Sequence, residues 1–340
     1  MSSDLDIVAL EKWAAGYIPG FSGPLTAEKF PGGQSNPTYK LTTNSGRYVL
    51  RRKPFGDLLP SAHAVDREFR LLSALYPTGF PVPHPIGLCE DDTVIGSMFY
   101  VMEMMEGRTF WRGILPDQIP ADRGPIYRDM IFTLARLHCI DHEGVGLGDY
   151  GRPGNYFERQ VARWTKQYRA SQTDDIPEIE RLIEWLPKDV PEQTHTTIIH
   201  GDYRIDNLIY APRENRVMAV IDWELATLGD PLADLAYMMM NWIMPIDERS
   251  GLLGTDFAQS GIPTMEEALE IYCEAAGRTN VPDLHWYFSF NLFRLTGIIQ
   301  GIKQRIRGGN ASSAEAEKTV AQLIPLARMA WQQAELTGTV

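Results

Sequence analysis

His200-Gly201-Asp202-Tyr203-Arg204-Ile205-Asp206-Asn207, followed after an apolar run by Ile221-Asp222-Trp223-Glu224, is the stretch from which the fold is read. It spells an H-x-D-x-x-x-x-N loop with a further aspartate fifteen residues on, each site preceded by a short apolar strand expected at 197–199 and 218–221. Phosphoryl transfer is the chemistry that needs this set: one carboxylate accepts the nucleophile's proton, while an amide and a second carboxylate hold magnesium on a triphosphate. The loop alone would arise by chance in a chain of this size with odds of roughly one in a hundred. Its weight comes from the second acidic site, which follows a strand of a length that lets both loops project from the same end of a hairpin.

Toward the N-terminus, residues 38–53 contain two alternating segments, TYKLTT and RYVLRRK, on either side of Asn44-Ser45-Gly46, which predicts a hairpin. Val65, Phe69, Leu72 and Leu75 repeat at helical spacing within 63–76 before Pro77 and Gly79 stop them, and a first helix is expected over 4–17 with Asp4 as its cap. Residues 98–105 are apolar throughout except Glu103, as in a strand buried on both faces. Gly32-Gly33-Gln34-Ser35-Asn36 precedes the hairpin; its glycines permit close backbone approach to phosphates, and Ser35 and Asn36 can donate hydrogen bonds. Taken by itself, a Gly-Gly turn more often marks a plain hairpin. The segment matches neither G-x-G-x-x-G nor G-x-x-x-x-G-K-[ST], so a Walker-type NTPase is unsupported.

Beyond Gly107 the pattern turns helical, with helices expected at 126–140, 156–170, 177–186 and after Thr264, and a boundary near Gly107. Phe288, Leu292, Leu295, Ile299, Ile302 and Ile306 form a stripe, but Phe290 and Phe293 fall on other faces, so it reads as a core helix rather than a coiled-coil seam.

The chain of 340 residues carries 44 acidic and 32 basic side chains, a net charge of -12, which argues against nucleic acid or an anionic membrane as a main partner. Cys89, Cys139 and Cys273 are odd in number and widely spaced, forming neither a disulfide framework nor a CxxC site. MSSDLDIVAL lacks the basic and apolar regions of a signal peptide, and the longest apolar run is about half of what spans a bilayer. A cytoplasmic protein is expected.

HGDYRIDN with VIDWELATLGDPLADLAY resembles the aminoglycoside phosphotransferase and choline kinase superfamily, small-molecule relatives of protein kinases, over about residues 30–305. Within it the chain is most similar to the kinase-like region of acyl-CoA dehydrogenase family members 10 and 11. The resemblance implies an α+β, bilobal protein-kinase-like fold: a β-rich, nucleotide-binding N-lobe at 1–106, and a mainly helical C-lobe at 107–340 with catalytic loop, metal site and acceptor pocket. It implies that Asp202 is the catalytic base, that Asn207 and Asp222 bind Mg2+, and that His200 packs the loop. Gly33, Ser35 and Asn36 would meet the phosphates of ATP. Arg51 stands where kinases carry a phosphate-pairing lysine, with Glu68 as its ion-pair partner, although Lys53 shares the strand face and either could reach in. The Glu103 carbonyl and Met105 amide would hold the adenine edge.

Asp234 is expected to brace the loop, and Glu224 either reaches a second ion through water or is structural. Arg294 and Gln300 either satisfy a buried network or line an acceptor pocket. The implied reaction moves the γ-phosphoryl of ATP to a hydroxyl of a small molecule, with a hydroxyacyl compound or its CoA ester favoured. A non-catalytic nucleotide-binding pseudokinase and an aminoglycoside-type antibiotic kinase are the alternatives. An ordinary protein kinase is disfavoured because HGD replaces H-R-D, DWE replaces D-F-G and no A-P-E follows.

Overall fold

The computed structural model describes residues 5–30, 36–55, 64–246, 249–308 and 314–340. The strands are β1 (Thr26–Lys29), β2 (Thr38–Thr43), β3 (Gly46–Arg52), β4 (Pro85–Cys89), β5 (Phe99–Glu103), β6 (Thr197–Ile199), β7 (Leu208–Tyr210), β8 (Val217–Val220) and β9 (Thr227–Gly229). The helices are α1 (Ile7–Tyr17), α2 (Val65–Leu75), α3 (Pro120–His138), α4 (Tyr156–Ser171), α5 (Pro177–Trp185) and α6 (Pro231–Met239). They continue with α7 (Phe257–Ser260), α8 (Met265–Ala276), α9 (His285–Arg307), α10 (Ala314–Ala321) and α11 (Leu323–Leu336). By compactness the chain divides into two units, neither contiguous: Met1–Trp111 with Asp141–Gly148 and Arg204–Ala226, and Arg112–Ile140 with Asp149–Tyr203 and Thr227–Val340.

In the first unit, five antiparallel strands run in the order β1-β2-β3-β5-β4. The period of two along β3 and β5 decides which side chains meet. Leu50 pairs with Val101, and both are buried in the cluster that contains Leu10 and Ala14 of α1. Arg51 pairs with Tyr100 and Val49 with Met102, so these four occupy the opposite face. Asp6, rather than Asp4, caps α1: its carboxylate accepts the N–H of Ala9 at 3.0 Å, and Asp4 lies outside the described residues. β4 lies in the Pro-rich stretch that reads as a crossing; Pro85 opens it on the sheet edge, where a missing N–H does little harm. The β7–β8 hairpin belongs to this unit and is joined to it by reciprocal backbone hydrogen bonds of 2.8 Å between Arg108 and Tyr210.

The second unit is helical apart from the β6–β9 pair. α9 is buried on every side from Trp286 to Phe293, which suits the core helix its sequence predicts. α3 begins at Pro120, earlier than the apolar period suggests, with proline in the first turn, where its missing N–H leaves no bond unmade. The class is therefore α+β, an antiparallel sheet toward the N-terminus and a mainly helical part toward the C-terminus. Among the described residues, no helix is long and apolar enough to cross a membrane.

Leu50 is fully buried in the middle of β3, so Leu50→Ala removes apolar contact and leaves a cavity. It is expected to cost about 2–5 kcal/mol, read as a lower urea midpoint; an unchanged midpoint would contradict this core assignment.

Candidate active site

The face of β3 and β5 turned away from α1 carries a charged cluster. Arg51 Nε lies 3.2 Å from Glu68 Oε2, and its Nη2 lies 3.3 Å from Asp222 Oδ1 and 4.0 Å from Glu224 Oε2. Glu68 in turn accepts hydrogen bonds from Asn36 Nδ2 at 3.0 Å and from the Tyr100 hydroxyl at 2.9 Å. Burial discourages the charge on Arg51, but Glu68, then Tyr100, Asp222 and Glu224, outweigh it and raise its pKa. Burial pushes the Glu68 carboxyl up from its ordinary value, and Arg51 opposes that rise most strongly, followed by Tyr100. Lys53 pairs with Asp66 at 3.3 Å, so of the two cations on this strand face it is Arg51 that meets Glu68.

Arg51, Glu68, Glu103, Met105 and Asp222 all line one cavity of about 290 Å³. Val49, Met102, Ile209 and Val220 supply apolar walls, and the Glu103 N–H is held by the His84 carbonyl at 2.9 Å. Asn36 is buried, and its side-chain amide donates to Glu68. Gly33 and Ser35 lie outside the described residues.

Asp222 sits at φ 65°, a left-handed conformation that costs a non-glycine residue about 1–2 kcal/mol. The Ile221 N–H donates to the Asn207 carbonyl at 3.0 Å, which fixes the loop before Asp222 against Asn207. Among the described residues, no group of three or more His, Cys, Asp or Glu side chains could by itself hold a metal ion. Asp222 and Asn207 offer hard oxygen donors of the kind Mg2+ accepts, an ion that keeps water and takes phosphate oxygens rather than an all-protein cage. Glu68, Asp222 and Glu224 around one guanidinium also leave a surplus of negative charge, which a divalent cation would offset.

Asp202 belongs to the second unit, in the loop after β6. Its N–H donates to His200 Nδ1 at 3.2 Å, and the Tyr237 hydroxyl donates to its Oδ1 at 2.7 Å. Asp234 is buried and accepts the N–H groups of His200 at 2.5 Å and Gly201 at 2.8 Å. Burial acts to raise the Asp234 pKa, yet the neighbouring His138 and His200 side chains and the His200 N–H outweigh it and hold the carboxyl below its ordinary value. Gly201 has φ 83°, which favours glycine at this turn.

Arg294 and Gln300 both join buried networks. Arg294 Nη2 donates to the Gly201 carbonyl at 2.5 Å, and Gln300 Nε2 donates to the Ser171 carbonyl at 2.9 Å and the Thr173 hydroxyl at 2.7 Å. Sequence reasoning missed Tyr237 and Tyr100. Tyr237 stands three residues after Asp234 on α6, one helical turn along the same face, which was the available signal.

A family model described as the phosphotransferase enzyme family matches residues 26–286. Mouse acyl-CoA dehydrogenase family member 10 is 44% identical over 333 residues, which make up 97% of this chain and 31% of that protein. The chain spans less than half the length of the curated relatives it matches, from 31% to 44%. A solved structure from Ralstonia eutropha, provisionally described as an aminoglycoside phosphotransferase, is 45% identical with a TM-score of 0.89, covering 97% of this chain and 98% of that one. A thermostable mutant of the aminoglycoside phosphotransferase APH(4)-Ia, in ternary complex with AMP-PNP and hygromycin B, is 15% identical with a TM-score of 0.60, over 96% and 98% of the two chains. That likeness is one of fold, and the fold is protein-kinase-like.

Asp234 yields a test of the loop's support. Its folded pKa lies below the unfolded value of about 3.9, so its contribution is fully present above that pH and is lost as pH falls through the folded value. Asp234→Asn is expected to cost about 3 kcal/mol at pH 7, and to make the acid-induced loss of stability below about pH 4 shallower. Urea melts at a series of pH values check both; equal midpoints for the two proteins at pH 7 would remove Asp234 as the brace.

Proposed function

This chain belongs to the phosphotransferase enzyme family, and we propose that it transfers the γ-phosphoryl group of ATP, with Mg2+, to a hydroxyl of a small molecule. The observation that carries the reading is a buried guanidinium, Arg51, held by Glu68 and Asp222 in the lining of an otherwise largely apolar cavity. Apolar walls suit a purine ring, and a permanent, forked cation suits phosphate oxygens. The complex of APH(4)-Ia with AMP-PNP, a protein of the same fold, supports the choice of nucleotide.

In this reading residues 1–106 bind the nucleotide, with the Glu103 carbonyl and Met105 amide on the adenine edge and Gly33 and Ser35 on the phosphates. Asn36 acts indirectly, by fixing Glu68. Residues 107–340 supply the catalytic loop and the acceptor pocket. Asp202 takes the proton of the acceptor hydroxyl as its oxygen bonds to the γ-phosphorus; the bond from that phosphorus to the bridging oxygen breaks, and ADP leaves with the electron pair. Asn207 and Asp222 would hold Mg2+, which when bound offsets negative charge on the phosphate oxygens.

The acceptor proposed is a hydroxyacyl compound or its CoA ester. Its support is the similarity, over nearly the whole chain, to proteins named as acyl-CoA dehydrogenase family members, of which this chain corresponds to one part. Presence of Asp202, Asn207 and Asp222 together argues against a pseudokinase.

Asp202→Ala is expected to lower turnover at least about 100-fold, with Mg-ATP affinity by calorimetry unchanged within about twofold. Near-normal turnover would sink the role of Asp202. Radiolabelled γ-phosphate transfer to hydroxyacyl-CoA esters should exceed transfer to the free hydroxy acids, choline and hygromycin B. Preference for hygromycin B would make the chain an antibiotic kinase, and binding of Mg-ATP with no transfer would leave a nucleotide-binding module.

A further inference from the structure

We infer that Tyr237, seated against Arg294, is the residue that positions the Asp202 carboxylate; the inference rests on the reading of Asp202 as the base. Rotation of a carboxylate about its terminal torsion is broad and weakly hindered. The Tyr237 hydroxyl has a single proton to donate, and it is committed to Asp202 Oδ1 at 2.7 Å. Tyr237 is itself buried on α6, so the donor has little freedom to wander.

Arg294 supports both halves of this contact. Its guanidinium carbon lies 5.2 Å from the centre of the Tyr237 ring and 5.6 Å from that of Trp164, and the residue is buried. Through Nη2 it also donates to the carbonyl of Gly201, the residue before Asp202. Gly201 thus has its N–H bound by the Asp234 carboxylate and its C=O bound by the Arg294 guanidinium. The backbone entering Asp202 is clamped by two charged side chains, and the carboxylate is aimed by a tyrosine that one of them supports. Asp234 and Tyr237, a single helical turn apart, make α6 the element that holds both the loop and its acid group.

Tyr237→Phe deletes one hydroxyl and keeps the ring beneath Arg294. With the 340-residue chain, Mg-ATP and water as acceptor, phosphate release should show kcat lowered about 10–100-fold, while the KM and calorimetric Kd for Mg-ATP stay within about twofold. In an Asp202→Asn background the same change should bring no further loss, because it acts through Asp202. Arg294→Gln should lower kcat in the same way, and its combination with Tyr237→Phe should fall short of the product of the two single losses; Arg294→Lys, which keeps the charge, serves where the glutamine variant does not fold.

Wild-type kcat in Tyr237→Phe beside a slowed but measurable Asp202→Asn would overturn the inference and leave the reading of Asp202 intact. A Tyr237→Phe loss that persists undiminished in the Asp202→Asn background would overturn it too, by placing the hydroxyl on the substrate. Full activity in Asp202→Asn would instead overturn the reading of Asp202 on which the inference rests.

Discussion

A carboxylate removed from water has to be met by hydrogen bonds from its surroundings, and Asp234, at 1% exposure, is the place where the helical unit is built around that demand. Its two oxygens take the N–H groups of His200 and Gly201, and His138 of α3 faces it from 3.6 Å. Three elements are tied by one charge: α6, which carries it, the loop after β6, and α3. The same short segment supplies β9, which pairs with β6, and Asp230, which caps α6 by accepting the N–H of Leu232. Strand, cap and brace fall within a dozen residues, and the geometry of the loop after β6 follows from them.

The sheet unit solves a related problem with the opposite charge. Arg51 reaches the inner face because Leu50 must reach the other, and a guanidinium placed there is tolerable only with carboxylates at hand. Glu68 comes from α2 and Asp222 from the turn after β8, so this pairing draws together residues far apart in sequence. The left-handed backbone at Asp222 is the local strain carried to present that carboxylate.

The parts legible in the sequence are those governed by short-range pattern: the β2–β3 hairpin around its Asn-Ser-Gly turn, α2 with its helical repeat, and the loop from His200 to Asn207. β4 and β9 were not legible, because one is a Pro-led edge strand and the other, Thr227-Leu228-Gly229, has a single large apolar side chain, unlike the apolar Thr197-Ile198-Ile199 of β6. Partner choice was beyond reach as well. Whether Arg51 or Lys53 met Glu68 depended on Asp66 standing near Lys53, and the inward turn of Asn36 depended on a glutamate 32 residues away. Tyr237 and Tyr100 escaped notice for the same reason, since each is defined by a hydrogen bond to a carboxylate more than thirty residues distant.

Arginine at position 51 has a chemical consequence of its own. A guanidinium stays protonated across the physiological range, so it offers no neutral nitrogen lone pair to an electrophile. Acylating nucleotide analogues that mark a site by capturing a lysine amine would find no such amine at this strand position, and the nearby Lys53 is held by Asp66. A survey of nucleotide-binding proteins based on lysine capture would therefore pass over Arg51, however tightly the cavity beside it were filled.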